Sequence, residues 1–120
     1  LGTDNQMVYW SDFQLWFRDN NIGFNTCAQV HGTPNAGMAN TWTHMAAVVT
    51  NGNIANSKLY INGEEKTLSG GNPSCHPYVY WDAIIGLSSG MPFSGRVDEL
   101  RVYNRTLTQA EILSDMNRPI

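Results

Sequence analysis

Apolar residues in this chain come in short runs that alternate with polar ones and stop at turn residues, the pattern of half-buried strands. Gln6 to Trp10 and Phe13 to Phe17 are two such runs, parted by Ser11-Asp12. Asp19-Asn20-Asn21 then makes a turn, and Ile22 to Cys27 alternates again, which predicts a hairpin. His31 to Asn40 (HGTPNAGMAN) holds Gly, Pro and Asn without a period and reads as a loop. Trp42 to Thr50 contains the continuous apolar stretch Met45 to Val49, a strand expected to be covered on both faces, with Trp42 and Trp16 in the core. Lys58 to Ile61 runs into Asn62-Gly63, a strong signal for a tight hairpin, and Glu64 to Leu68 returns from it. Ser69 to Tyr80 is a second loop, rich in Gly and Pro, and Ala83 to Leu87 and Phe93 to Tyr103 read as the last strands. Helical logic enters only after Tyr103, where Thr108 and Glu111 make a capping box ahead of Ile112, Leu113 and Met116.

Many short strands and one short C-terminal helix predict an all-β fold, an antiparallel β-sandwich, in a single domain over residues 1–120. Composition points the same way: thirteen Asn, eleven Gly, nine Thr and eight Ser favour turns and strand edges, while charged residues are only 14%. The net charge is −3 and the seven Lys and Arg are scattered singly, so no basic stripe exists to bind nucleic acid. The longest apolar run falls far short of the roughly 20 residues that span a bilayer, which excludes membrane insertion by a helix. The chain opens Leu1-Gly2-Thr3-Asp4 with no targeting pattern, and is expected to be a piece of something longer. Cys27 and Cys75 are an even count in polar, turn-like surroundings. They favour a disulfide closing a loop of about 50 residues, and with it an oxidising compartment. Two unpaired thiols are the alternative reading.

Four blocks in order carry a resemblance: Trp42-Thr43-His44-Met45-Ala46, Lys58 to Gly63 (KLYING), Ile84-Ile85-Gly86, and Phe93 to Leu107 (FSGRVDELRVYNRTL) with Ala110-Glu111-Ile112 behind it. The series resembles the laminin-G-like jelly rolls of the concanavalin A-like lectin/glucanase superfamily over roughly residues 42–113. The resemblance implies a jelly roll and, by analogy, a non-catalytic carbohydrate-binding or adhesion module of a secreted or cell-surface protein. The alternative is a structural, protein-interaction domain on a pilus, adhesin or similar extracellular assembly. Thr3 to Gln6 leading into Tyr9-Trp10, with Asn21 to Phe24, is similar to the pentraxins, a calcium-binding branch of that superfamily. Family jelly rolls open with further strands ahead of the position of Asp4-Asn5. The sandwich is therefore expected to lack its opening strands, and a neighbouring chain or upstream segment to cover the open sheet edge.

Superfamily glucanases need a nucleophile and an acid about 5–5.5 Å apart on one strand face. Asp98 and Glu99 are adjacent, so on a strand they point to opposite faces and make no dyad. They suit a structural role with Arg96 or Arg101, or Asp98 supplies one oxygen to an ion. Asp4 and Asn5 match the pentraxin calcium pair, but the acidic and amide residues that would complete that site are missing around Ile85 to Ser89, leaving one calcium ion or none. His31, His44, His76 and the two cysteines fit no standard zinc spacing, and His44 reads as a hydrogen-bonded structural histidine. The best ligand candidates are aromatic: Tyr78, Tyr80 and Trp81 at the end of a polar loop, with Tyr9 and Trp10 as a second pair. Their faces suit sugar C–H surfaces, and nearby amides such as Asn35 suit hydroxyls. Packing inward at the start of the next strand is the competing role for Tyr80 and Trp81.

Overall fold

The structure, a computed structural model, describes residues 5–18, 20–26, 29–50, 54–69, 78–79, 82–88 and 91–120, with backbone alone at Asn5, Gln29, Val30, Ile54, Leu87, Ser88, Met91 and Pro92. Strands β1 (Asn5–Trp10), β2 (Phe13–Arg18), β3 (Asn21–Thr26) and β4 (Gln29–Pro34) form an antiparallel meander. A second sheet is built from β5 (Met45–Val48), β6 (Lys58–Ile61) and β7 (Glu64–Lys66). The short β8 (Ile84–Ile85) adds to the free side of β1, so the first sheet runs β4-β3-β2-β1-β8, while β9 (Leu87–Ser88) pairs with β10 (Met91–Pro92). Helix α1 (Gln109–Met116) follows. The fold is the expected all-β sandwich with one short helix.

Strand alternation decides which residues meet. Leu15 pairs with Phe24 and Phe17 with Ile22, so these four side chains share one face of the first sheet. That face meets Leu59 and Ile61 of β6, and Ile22, Phe24, Leu59 and Ile61 form the buried core, with Met38, Met45, Ala47 and Leu68 packed around it. Each such apolar side chain contributes roughly 1.5–3 kcal/mol by leaving water. The opposite face carries Gln14, Trp16 and Asn25. Trp16 is 5% exposed, but it gains its cover here by lying over the backbone of Gly23 and Gly32, not in the inter-sheet core.

Asn62 and Gly63 take φ of 51° and 79°, the left-handed pair that a tight hairpin demands. A Cβ at Gly63 would also stand 2.3 Å from Leu113 Cδ2, so the Leu113 side chain would have to shift to admit it. Helix α1 docks on this turn. Gln109 Nε2 donates to the Gly63 carbonyl at 2.9 Å, and Ile112 is buried beneath the helix. The predicted capping box is present: Glu111 N–H donates to Thr108 Oγ1, and Thr108 N–H donates back to Glu111 Oε2 at 2.7 Å.

Three expectations are corrected. Residues 29–34 form a strand where a loop starting at His31 was expected, because β4 is held by features that carry no apolar period. The His31 ring stacks on Phe24 with centroids 4.9 Å apart, and bare Gly32 fits beside the Trp16 ring. Trp42 is 66% exposed and not in the core. The last strand does not run from Phe93 to Tyr103: Glu99 takes a φ of 50°, and Arg101, Tyr103 and Arg105 turn instead to α1. Among the described residues, 94–107 make no backbone-to-backbone hydrogen bond, and Val97, Leu100 and Val102 are exposed.

Candidate functional site

The hairpin joining β1 to β2 is closed by two residues, Ser11 and Asp12, with Ser11 buried at a left-handed φ of 55°. A turn held this tightly fixes the Asp12 side chain. Its Oδ2 accepts the Tyr78 N–H at 2.9 Å, and the Asp12 N–H donates to the Tyr78 carbonyl at 3.4 Å. The polar loop therefore returns to the first sheet at this turn. It presents the Tyr78 side chain 61% exposed, its backbone bonded to Asp12, which lies two residues beyond Trp10 in sequence. Two candidate groups that lie far apart in sequence thus converge through Asp12, a residue the sequence reading did not single out. An Asp in a turn is a familiar side-chain acceptor for nearby N–H groups, but a partner 66 residues away leaves no local signal.

Tyr9 and Trp10 do not act as a pair. Tyr9 is opposite Gln14 and shares the outer face of the sheet, whereas Trp10 is opposite Phe13 and shares the core face. Around Tyr9 the outer face is a row of amides. Gln6 Nε2 and Asn25 Nδ2 both donate to Gln14 Oε1, at 3.1 and 3.3 Å, and Trp16 Nε1 donates to Asn25 Oδ1 at 2.6 Å. Gln6 Oε1 is buried with no hydrogen-bond partner. Gln6, Gln14 and Asn25 were legible only as the polar members of alternating strands.

Asn35 lies at the other end of the sheet, beside the β2–β3 turn, about 15 Å of strand away from Trp10. Its Nδ2 donates to the Asn21 carbonyl at 3.2 Å and its N–H to the Asn20 carbonyl at 2.9 Å, so it ties β4 to that turn. Asp98 is exposed, and its Oδ1 accepts the Glu99 N–H at 2.8 Å, while Glu99 lies 3.6 Å from Arg101. Tyr80, Trp81, Asp4, Cys27 and Cys75 lie outside the described residues, and for Asn5 only the backbone, opposite Phe17 in β1, is described. Among the described residues no three His, Cys, Asp or Glu gather as a metal site.

Chemically, the turn and the outer face offer the Tyr78 phenol, amides and one carboxylate. These groups stack and hydrogen-bond neutral polar surfaces. Among the described residues no helix is long and apolar enough to cross a membrane. No curated protein and no solved structure matches the chain. A family match does extend over residues 2–113, nearly the whole length, further toward the N-terminus than the blocks first recognised. The chain belongs to the Laminin_G_3 family of the concanavalin A-like lectin/glucanases superfamily.

Proposed function

We propose that this domain is a non-catalytic carbohydrate-binding module of a secreted or cell-surface protein, with its site at the β1–β2 turn. The observation that carries the reading is the exposed Tyr78 ring, carried on a backbone held by the bond from its N–H to Asp12. Pre-set backbone geometry lowers the entropy lost when a sugar face stacks on the ring. The Tyr78 hydroxyl then supplies a polar partner for sugar hydroxyls, with Tyr80 and Trp81, close in sequence, as the further candidate aromatics. A single small site of this kind binds weakly, and repetition in a parent assembly raises its avidity. One calcium ion, with Asp4, Asn5 and Asp98 as its candidate ligands, is the cofactor to test alongside.

A glycan-array screen of the chain, with and without a chelator, tests this. Binding that disappears in Tyr78→Ala at unchanged melting temperature supports it. Loss on chelation alone would add the ion. A folded chain that binds no glycan under either condition sinks it.

A second reading has its own observation. Among the described residues, 94–107 make no backbone-to-backbone hydrogen bond and Val97, Leu100 and Val102 are exposed, which favours a protein-interaction domain in which this segment pairs with a neighbouring chain or upstream segment. Strong binding of a hydrophobic dye and self-association in sedimentation would favour this reading; a monodisperse monomer that leaves the dye dark would remove it.

A further inference from the structure

His44 immediately precedes β5 and is tied on both sides to the β6–β7 turn: its N–H donates to Asn62 Oδ1, and its carbonyl accepts the Asn62 N–H, each at 2.9 Å. Those bonds fix the backbone from which the ring projects. The ring is half buried, and its Nδ1 is buried without a hydrogen-bond partner. The hydrogen bonds expected of a structural histidine are made by its backbone, while the ring is left over.

The charged groups that act on the ring come from two sides. From the chain after Glu99 comes Arg101, whose Nη1 donates to the Asp115 carbonyl at 2.6 Å and whose Nη2 donates to the Arg118 carbonyl. The Asp115 carbonyl is in the last turn of α1 and that of Arg118 just past its end, where the helix dipole favours positive charge. From α1 comes Asp115, whose carboxylate already accepts the Tyr103 hydroxyl, accepts Arg118 Nη2 at 2.6 Å and lies 3.6 Å from Arg101 Nη1. The β6–β7 turn adds only neutral Asn62 and Gly63. A proton on His44 Nδ1 would find no acceptor and would be disfavoured by the Arg101 charge, while the Asp115 carboxylate that favours it is already shared with Tyr103, Arg118 and Arg101. Burial first, and then Arg101, hold the His44 pKa below its ordinary value, with Asp115 pulling the other way.

We propose that His44 is an acid-sensitive latch for α1, whose protonation loosens the helix from Arg101 and from the β6–β7 turn. The docked state binds fewer protons than the opened one, so docking is tightest above about pH 6.5 and weakens as the pH falls below it.

Native-state hydrogen exchange of the whole chain from pH 7.5 to 5, read at the amides of Ile112 to Met116 as protection factors, tests the latch. Protection is expected to fall by up to about tenfold per pH unit below about 6.5, the limit set by one proton. His44→Gln is expected to flatten that profile. A flat profile in the native chain, or an equal slope in His44→Gln, overturns the proposal. Should His44→Gln fail to fold, titration of the His44 ring by NMR in the native chain decides instead. A midpoint below about 6.5 with matching shifts in α1 upholds the latch, and a midpoint at or above it, or an unmoved α1, ends it.

Discussion

The indole of Trp16 lies so close over Gly23 that a methyl group on the glycine would stand 2.7 Å from one ring carbon. The same methyl would meet the His31 carbonyl at 2.1 Å, and that atom belongs to the strand ladder and cannot swing aside. Gly23→Ala is expected to destabilise the domain by roughly 1–3 kcal/mol through overpacking. Urea denaturation followed by tryptophan fluorescence measures it, and an unchanged midpoint would mean that Trp16 is not seated on β3.

Asp12 acts on the proposed sugar site through Tyr78, as a positioning residue. Asp12→Ala removes the acceptor for the Tyr78 N–H and is expected to weaken glycan binding several-fold while costing roughly 0.5–1.5 kcal/mol of stability. Asp12→Asn, which keeps an acceptor oxygen, is expected to recover most of the affinity. Titration calorimetry with an array hit compares the two, and equal losses would show that the carboxylate charge matters and not the placement.

Trp42 offers a contrast between a large residue and a structural one. With its side chain mostly in solvent, Trp42→Ala is expected to change stability by no more than about 0.5 kcal/mol, against roughly 3–5 kcal/mol for a tryptophan emptied from a core. The same urea experiment reads the difference. A core-sized loss would require a covering surface over Trp42 that the described residues do not supply.

What the sequence disclosed follows the range of the interactions. Asn62-Gly63 and the Thr108–Glu111 box are decided within four residues, and both stand where the pattern put them. β4 escaped because Gly32 works by having no side chain and His31 by stacking on a strand neighbour, and neither leaves an apolar period. Phe93 to Tyr103 misled for the opposite reason. Its alternation is real, but Arg101, Tyr103 and Arg105 spend their side chains on α1, a choice fixed by residues 111 to 118 and not by the run itself. The site divides likewise: Tyr78 could be named from its surroundings, whereas Asp12 needed the fold to bring it there.

Glu111 ties the start of α1 to Arg105. Its pKa is lowered to about 2, first by the Arg105 guanidinium and then by the Thr108 N–H and hydroxyl. Because the folded value lies below the unfolded one, the stabilisation is complete above about pH 4.5 and is lost as the pH falls toward 2. Circular dichroism at 222 nm is expected to lose helical signal across that window in the native chain. In Glu111→Gln the titrating group is gone, so the loss should be smaller; an identical curve would assign it to other carboxylates.

The meander that builds the first sheet also sets an order of assembly. β1 to β4 are joined by successive loops of two residues, so each strand finds its partner almost as soon as both exist, with little loop-closure cost. Their core face, with Ile22 and Phe24, must then wait for Leu59 and Ile61, roughly 35 residues further along the chain, before water is excluded from it. A chain emerging from a ribosome passes through an interval in which a finished ribbon shows a greasy side and has nothing to lay it against. Chaperone demand should peak for chains stalled between β4 and β6 and decline once the Asn62-Gly63 turn has closed.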